Sequence, residues 1–326
     1  MKNLKLFFTT TLALIAILFI SCGKSNVDAN GCYYDIDDAV EFANKKNQDL
    51  MVIITVEGDD EQSTDFLNKV IRDAKFKKEV ASKYAVVCMD FSQRTYAEAK
   101  ADEAADDAAK KAAEKKAAIL EKNTKLATML DAQEVPVIYI FSKEKYLITG
   151  LFYDDENRTL QGFEDTLAEK TSLIDDMHKM IYQTKIGTAE EKVKAIDALW
   201  EATEPSFRIF LYDLISSVKK LDSGNTSGLL GKYLYEAAST RSDMALLEGN
   251  VREAVQAFLD AADESEISAE DRQQAMYTAA YMCSMSGIED DSVVIQYLEK
   301  AIQLAPESED APRIRRVITA ISSKGK

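Results

Sequence analysis

Hydrophobic residues in the stretch 35–158 follow two patterns in turn: helical spacing and short, nearly continuous apolar runs. Spacing of three and four residues is typical of an amphipathic helix, and an apolar run of about four to eight residues is typical of a buried strand. The order of these patterns predicts helix, strand, helix, strand, helix and hairpin. The segments are 35–47, 50–55, 59–83, 85–90, the helical stretch 119–130, and the hairpin strands 135–141 and 146–152.

Residues 159–326 show helical spacing of hydrophobic positions almost throughout, so this region is predicted to be all helix. Within it, residues 254–262 align with residues 294–302 at an offset of 40. Gly249 and Gly287 precede the two copies, and each glycine is expected to end the helix before its copy. The pattern indicates paired helices that recur along the chain.

This recurrence resembles the tetratricopeptide repeat, in which a glycine separates paired helices and a proline such as Pro306 closes the second helix. The resemblance implies an all-α, helical-repeat (TPR-like) domain over 159–326, with residues 313–321 as a capping helix. Because two copies are fewer than a free-standing solenoid needs, we expect them to pack against neighbouring helices.

The run 51–55, the positions Val70, Ile71, Asp73 and Phe76, and the segments 86–91 and 134–137 carry a second resemblance. Together with the order of elements, they resemble thioredoxin-like proteins of bacterial envelopes. Residues 218–233 resemble the region that links the thioredoxin-like and helical domains in such proteins. The resemblance implies an α/β thioredoxin-like domain over 35–158. It also implies that Val135 and Pro136 form the family's cis-proline loop, and a trans proline that begins an edge strand is the alternative.

In that family a redox Cys-x-x-Cys motif stands at a helix N-terminus, but Asp60, Glu61, Gln62 and Ser63 occupy those positions here. Thiol–disulfide exchange needs an attacking thiolate and a second thiol that resolves the mixed disulfide. Without either sulfur at this site, we expect no dithiol chemistry and no catalytic residue there. Asp59, Asp60 and Glu61 are expected to cap the helix instead.

The resemblance also implies a groove beside Val135 and Pro136, where family members bind extended chains by backbone pairing. Glu61, Gln62 and Ser63 are expected to line this groove without reacting. Alternatively, the paired carboxylates would serve as general acid and base or bind a cation, but no histidine and no third ligand accompanies them in the nearby sequence.

Three cysteines follow residue 22, namely Cys32, Cys88 and Cys283, and none forms a Cys-x-x-Cys motif or a zinc-site spacing. Cys88 and Cys283 lie in apolar segments and are expected to pack as small hydrophobic residues. Cys32 is the candidate for exposure, so it could form a bridge to another molecule. The alternative function is a thiol–disulfide oxidoreductase or a monothiol redox protein that uses Cys32.

Other chemistry is scarce in the sequence. The single histidine, His178, follows Asp175 by three residues, which fits a metal pair, but a helix-packing histidine is the favoured interpretation. No glycine-rich phosphate loop, nucleophile elbow or metalloprotease motif is present, so we expect no cofactor and no metal; an unrecognised hydrolase is a further alternative. The net charge of −16 argues against nucleic acid as a partner.

The first 22 residues have the pattern of a targeting signal. Lys2 and Lys5 precede the apolar run 6–20, and Ser21 precedes Cys22. This resembles the signal of bacterial lipoproteins, in which the cysteine sulfur is acylated. The resemblance implies a lipid anchor on Cys22 and a place in the bacterial cell envelope, facing the periplasm or the cell surface. An ordinary cleaved signal or an uncleaved anchor is the alternative.

The sequence therefore predicts a signal peptide over 1–21, a flexible tether over 22–34, a thioredoxin-like domain over 35–158 and a helical domain over 159–326. Residues 96–122 form an insertion in the first domain that is rich in Ala, Asp, Glu and Lys, a composition that favours helix. We expect a solvated helical arm, or alternatively a contact element for a partner. The predicted function is a redox-inactive, membrane-anchored module that binds proteins or peptides, or a purely structural scaffold.

Overall fold

A computed structural model describes residues 27–100 and 106–324 of this chain. The predicted signal peptide and Cys22 lie outside the described residues. No helix within the described ranges is both long and apolar enough to cross a membrane. Two regions follow one another, a mixed sheet flanked by helices and then a region that is mostly helical, as the hydrophobic pattern predicts.

The sheet has five strands in the order β1, β3, β2, β4, β5. The first three run parallel to one another, β4 runs antiparallel to β2, and β5 completes the predicted hairpin with β4. The apolar runs thus mark four of the five strands correctly. Their bounds are Cys32–Tyr33 (β1), Asp49–Thr55 (β2), Tyr84–Asp90 (β3), Val137–Phe141 (β4) and Leu147–Phe152 (β5).

Strand β1 lies in the segment that the sequence assigned to the flexible tether. Asp28 accepts hydrogen bonds at Oδ1 from the backbone N–H groups of Asn30 (2.8 Å) and Cys32 (2.9 Å), which folds residues 28–32 into a turn. This turn brings Cys32 and Tyr33 alongside Val86 and Val87 of β3. The tether prediction is therefore wrong for these two residues, because a side-chain capped turn and pairing to a strand edge order a segment that hydropathy alone marks as polar.

The helices of the first region also differ from the prediction at one point. The predicted long helix over 59–83 is broken: a π-helical turn, Leu67–Ile71, follows the first part, and the chain then turns before a separate short helix. Asp73 accepts a hydrogen bond from the backbone N–H of Lys75 (2.8 Å), a local contact that competes with helical pairing. The helices are α1 (Ile36–Lys46), α2 (Glu61–Phe66), α3 (Phe76–Glu79), α4 (Gln93–Glu98) and α5 (Asp107–Met129).

The second region consists of helices joined by short turns. Gly249 and Gly287 have φ of +73° and +66°, a left-handed conformation that ends the helix before each copy, as predicted. The helices are α6 (Leu160–Glu169), α7 (Thr171–Gln183), α8 (Ala189–Ala202), a 3₁₀ turn (Pro205–Leu211), α9 (Tyr212–Ser216), α10 (Val218–Leu221), α11 (Leu230–Leu247), α12 (Val251–Asp263), α13 (Ala269–Ser286), α14 (Asp291–Leu304) and α15 (Ala311–Lys324).

Both faces of the sheet are buried, which explains why the strands read as continuous apolar runs rather than alternating ones. On one face, Leu50, Val52 and Ile54 of β2 belong to the same cluster as Ala39 and Ala43 of α1. On the other face, the hydrophobic cluster extends without interruption into the helical region. It contains Met51, Ile53, Phe66, Ile138, Phe163, Met177, Ile196, Trp200 and Tyr233.

A polar contact joins the same two regions. His178 on α7 lies 2.8 Å through Nε2 from Oδ2 of Asp49, the first residue of β2. The hydrogen bond to Asp49 raises the pKa of His178 above its ordinary value despite partial burial, and the nearby carboxylates of Glu144 and Asp175 act in the same direction. The protonated imidazolium is therefore the form that stabilises the contact.

This contact predicts a pH-dependent stability. Because the folded-state pKa of His178 is raised, its contribution is fully present below about pH 6.5 and is lost as pH rises through the folded-state value. With 38% of the His178 side chain exposed, we expect a contribution of at most about 1 kcal/mol. Urea unfolding of the native chain and of His178→Gln should show a difference in unfolding free energy at pH 5.5 that shrinks by pH 8.

The matched variant Asp49→Asn removes the carboxylate and should abolish the same pH-dependent difference. A difference between the native chain and His178→Gln that is equal at the two pH values would show that His178 acts only through packing.

Candidate functional site

The tetrapeptide Asp60–Ser63 forms the start of helix α2. The carboxylate of Asp60 accepts a hydrogen bond from the backbone N–H of Ser63 (2.6 Å), which satisfies one of the helix's free donors. The hydroxyl of Thr64 donates to the Asp60 carbonyl (2.8 Å) and accepts from the N–H of Gly58 (2.9 Å). Asp60 is thus a helix cap, as predicted.

The neighbouring acids behave differently. Asp59 accepts a hydrogen bond from the backbone N–H of Gln93 (2.6 Å), the first residue of α4, so it supports a second helix rather than α2. Glu61 and Gln62 are exposed. Asp59 and Asp60 thus both accept hydrogen bonds from backbone N–H groups. Asp60 does so at the start of α2 and Asp59 at the start of α4.

Ser63 corrects the expectation that residues 61–63 all line a groove. Its side chain is 0% exposed, and its Oγ has no hydrogen-bond partner within the described residues. Ser63 and Phe66 are the buried residues of α2, and the Phe66 ring packs edge-on against Tyr153 and Phe163. Because the helical turn points Ser63 toward the core, its side chain does not face solvent.

The proline segment lies close to this helix in the topology. The Val135–Pro136 peptide bond is cis. Val137 pairs with Ile54, so the preceding proline lies beside the end of β2, from which the chain reaches Asp60 within a few residues. Val135 is half-buried and Pro136 is buried. The fold therefore brings the two sequence-predicted segments, 60–63 and 135–136, to the same end of β2.

The thiols offer no reactive group at this edge. Cys32 is 0% exposed in β1, which overturns the expectation that it is the exposed cysteine. A hydrogen bond with Cys32, together with burial, raises the pKa of the Cys88 thiol well above its ordinary value. Burial also raises the pKa of Cys283. Reactive cysteines have depressed pKa values and are accessible, so these environments disfavour thiolate chemistry.

An ionic cluster that sequence reasoning missed lies at the carboxyl ends of β2 and β3. Glu57 binds Arg72 through Oε1 (2.6 Å) and Arg94 through Oε2 (2.7 Å), and its backbone N–H donates to Asp90 (2.8 Å). Burial alone would raise the pKa of Glu57, but the two arginines outweigh it and lower the pKa. Polar residues that directly follow two parallel strands could have predicted this cluster. The carboxyl ends of such strands meet at one edge of a sheet.

The described part of the insertion 96–122 lies mostly in α4 and α5, as its composition predicts, but α5 is not a free arm. Lys122 on α5 binds Asp35 (2.7 Å) and Asp37 (2.6 Å) at the start of α1. The side-chain amide of Asn123 donates to the carbonyl of Tyr34 (3.0 Å). These contacts hold α5 against the start of α1 and the segment before it. A cavity of about 660 Å³ lies between α5 and the ends of β2 and β3.

His178 contacts Asp49 rather than Asp175, so the proposed histidine–aspartate metal pair is not formed. Within residues 27–100 and 106–324, no group of three or more His, Cys, Asp or Glu side chains is arranged to hold a metal ion.

Comparisons with known proteins match parts of the chain. A family model described as an uncharacterised protein C-terminal domain matches residues 229–326. A protein of Treponema pallidum (strain Nichols), described as uncharacterized, is 30% identical over 131 residues, which are 40% of this chain and 43% of that protein. The match thus spans less than half of that relative's length. A solved chain titled DsbH oxidoreductase aligns with a TM-score of 0.28 and 10% identity over 40% of this chain and 80% of its own length.

The side chains of Ser63 and Thr64 at the start of α2 give a stability test of this structure. Ser63→Ala removes a buried polar atom that has no partner, so the free energy of unfolding should stay level or rise by about 1 kcal/mol. The neighbouring Thr64→Ala removes two hydrogen bonds and should lower it by about 1–2 kcal/mol. Urea unfolding of both variants measures the contrast, and equal destabilisation by the two would contradict this account.

Proposed function

We propose that this chain is a redox-inactive, lipid-anchored protein of the bacterial cell envelope, in which a thioredoxin-like domain and a TPR-like helical domain bind other proteins. One observation carries the proposal: the position of the redox motif holds a helix cap built on Asp60, with no sulfur in the tetrapeptide. The site retains an ordered helix start but lacks the groups that dithiol exchange requires.

The thioredoxin-like description draws support from the arrangement of the sheet. Three parallel strands precede an antiparallel hairpin in the order β1, β3, β2, β4, β5, and the helix that follows β2 begins at the tetrapeptide. Pro136 directly precedes β4, where the family resemblance places its proline loop.

The TPR-like description draws support from helices α11 to α14. They form consecutive pairs separated by Gly249 and Gly287, and α13 packs against both α12 and α14. Small side chains allow helices to approach closely, and buried alanines are frequent on these helices. They include Ala254, Ala257, Ala261, Ala275, Ala279, Ala280 and Ala301.

The anchor rests on the sequence alone. The basic start, the apolar run 6–20 and Ser21 before Cys22 support acylation of Cys22. Two or more acyl chains would hold the chain stably on a membrane, since each buried methylene contributes about 0.8 kcal/mol. The net charge of −16 disfavours binding of the protein surface to anionic lipids, and the mixed charge of α5 does not form a basic membrane-binding face. The acyl chains would therefore be the main membrane contact.

The protein-binding surface of the first domain would be the edge formed by Glu61, Gln62 and Val135. Glu61 and Gln62 are exposed and Val135 is half-buried, so this edge combines polar donors and acceptors with apolar area. The register of β4 against β2 brings the two segments to one end of the sheet. An extended peptide would be held there by backbone pairing and by Val135.

The alternative, a thiol redox protein that uses Cys32, has less support. Cys32 is fully buried in β1, and the Cys88 thiol beside it is held in its protonated form by burial and hydrogen bonding. A purely structural scaffold remains the competing non-enzymatic function, and it differs from a binder in having no partner at the 61–62 edge.

Site-specific photocrosslinking separates a binder from a scaffold. A photoreactive residue in place of Gln62, in the cells that produce the protein, should give discrete covalent adducts because this side chain faces the binding edge. The same residue in place of Lys78, whose side chain is 84% exposed on α3, is the matched control and should not give those adducts. Adducts at neither position, or the same adducts at both, would contradict a specific binding edge.

A further inference from the structure

The cavity of about 660 Å³ under α5 lies on the side of the sheet where β3 has only a short neighbour. Strand β1 pairs with Val86 and Val87, whereas β3 continues to Asp90. Cys88 and Asp90 both line the cavity. Beyond Val87, no strand among the described residues continues the ladder on that side. An open strand edge of this kind accepts an extended chain.

A buried side chain on the opposite wall points to a ligand independently. Asn123 of α5 lines the cavity and is 6% exposed. Its Nδ2 donates to the carbonyl of Tyr34 (3.0 Å), which fixes the orientation of the amide, while its Oδ1 has no hydrogen-bond partner within the described residues. A buried acceptor without a donor is unfavourable, so a ligand that brings an N–H to Oδ1 gains affinity.

The remaining lining favours an uncharged ligand. Arg72 and Arg94 are both bound to Glu57, and Lys116 of α5 is bound to Glu98 (2.7 Å). These three cations are already paired, so they offer no strong site for an anion. Glu57 and Glu98 are bound to them, and Asp28 and Asp90 accept hydrogen bonds from backbone N–H groups. Apolar side chains supply the rest of the contact area, chiefly Leu67, Ile71, Ile119 and Leu120.

We propose that this cavity binds a short, uncharged, extended peptide segment of another protein. The backbone of the peptide extends the sheet along Cys88–Asp90 and donates one N–H to Oδ1 of Asn123, while its apolar side chains contact Leu67 and Ile119. The volume falls within the range of about 300–1,000 Å³ that is usual for ligand pockets. The site is separate from the 61–62 edge and does not depend on the function proposed for that edge.

Two peptide pools test the proposal on the chain that begins at residue 23. One is an equimolar pool of acetylated tetrapeptides of Ala, Val and Leu that end in a dimethylamide. The other has the same sequences with N-methylated backbones, so it carries no N–H donor. In ¹⁵N-labelled protein, the first pool should shift amide signals of residues 88–98 and 112–123. The second pool should leave those signals unchanged, because it can neither pair with β3 nor donate to Asn123.

Two tryptophan variants on the same helix locate the binding. Ala112 lines the cavity and is exposed, so Ala112→Trp should fill the cavity and abolish the shifts without disturbing the core. Ala118 is exposed on the same helix but does not line the cavity, so Ala118→Trp should bind like the native chain. Asn123→Leu should weaken binding about tenfold through loss of the acceptor.

Several results would overturn the proposal. They are unchanged signals with both pools, equal shifts with the N-methylated pool, or shifts that persist in Ala112→Trp. If the signals of 88–98 and 112–123 instead move with protein concentration in the absence of peptide, the occupant is a second copy of this chain and the proposed foreign peptide is wrong. The two tryptophan variants keep the test decisive even if Asn123→Leu fails to fold.

Discussion

The packing of α6 on the π-helical turn and of α7 on β5 is the contact on which the rest of the molecule depends. A single hydrophobic cluster runs from Met51 and Ile138 in the strands through Phe163 to Trp200 and Tyr233 in the helical half. Because both faces of the sheet are buried in this way, the strands carry long apolar runs. The last five helices then form a core of their own, joined to the first through α11.

At the ends of the strands, most polar side chains form hydrogen bonds and ion pairs that fix the neighbouring segments. Asp60 caps α2, Asp59 supports α4, and Glu57 joins two arginines that come from different segments. These contacts order the end of the sheet at which α2 begins, and the tetrapeptide Asp60–Ser63 there contains no sulfur. Gln62 stays exposed at this edge, which is compatible with the partner recognition that we propose. The insertion adds a second, separate concavity next to the same strand ends.

The sequence predicts the parts of this fold that depend on local pattern. Apolar runs located β2 to β5, glycines located two helix ends, and Asp60 was correctly expected to cap α2. It failed where the outcome depends on contacts between distant residues. Strand β1 exists because an edge of β3 is available, Ser63 is buried because α2 packs on Phe163, and Cys32 is hidden beside Cys88. The hydrogen bond from the Asn123 amide to Tyr34 and the pairing of His178 with Asp49 each join positions far apart in sequence, so no local pattern predicts them.

Insulin-disulfide reduction tests most directly whether this chain carries out thiol chemistry. The native chain, with Cys22→Ser to remove the lipidation thiol, should reduce insulin no faster than dithiothreitol alone, because Cys32, Cys88 and Cys283 are inaccessible or held protonated. The double variant Asp60→Cys, Ser63→Cys restores two thiols at the start of α2 and should accelerate the reaction. Acceleration by the chain without these changes, abolished by Cys32→Ala or Cys88→Ala, would contradict the account and establish a redox enzyme.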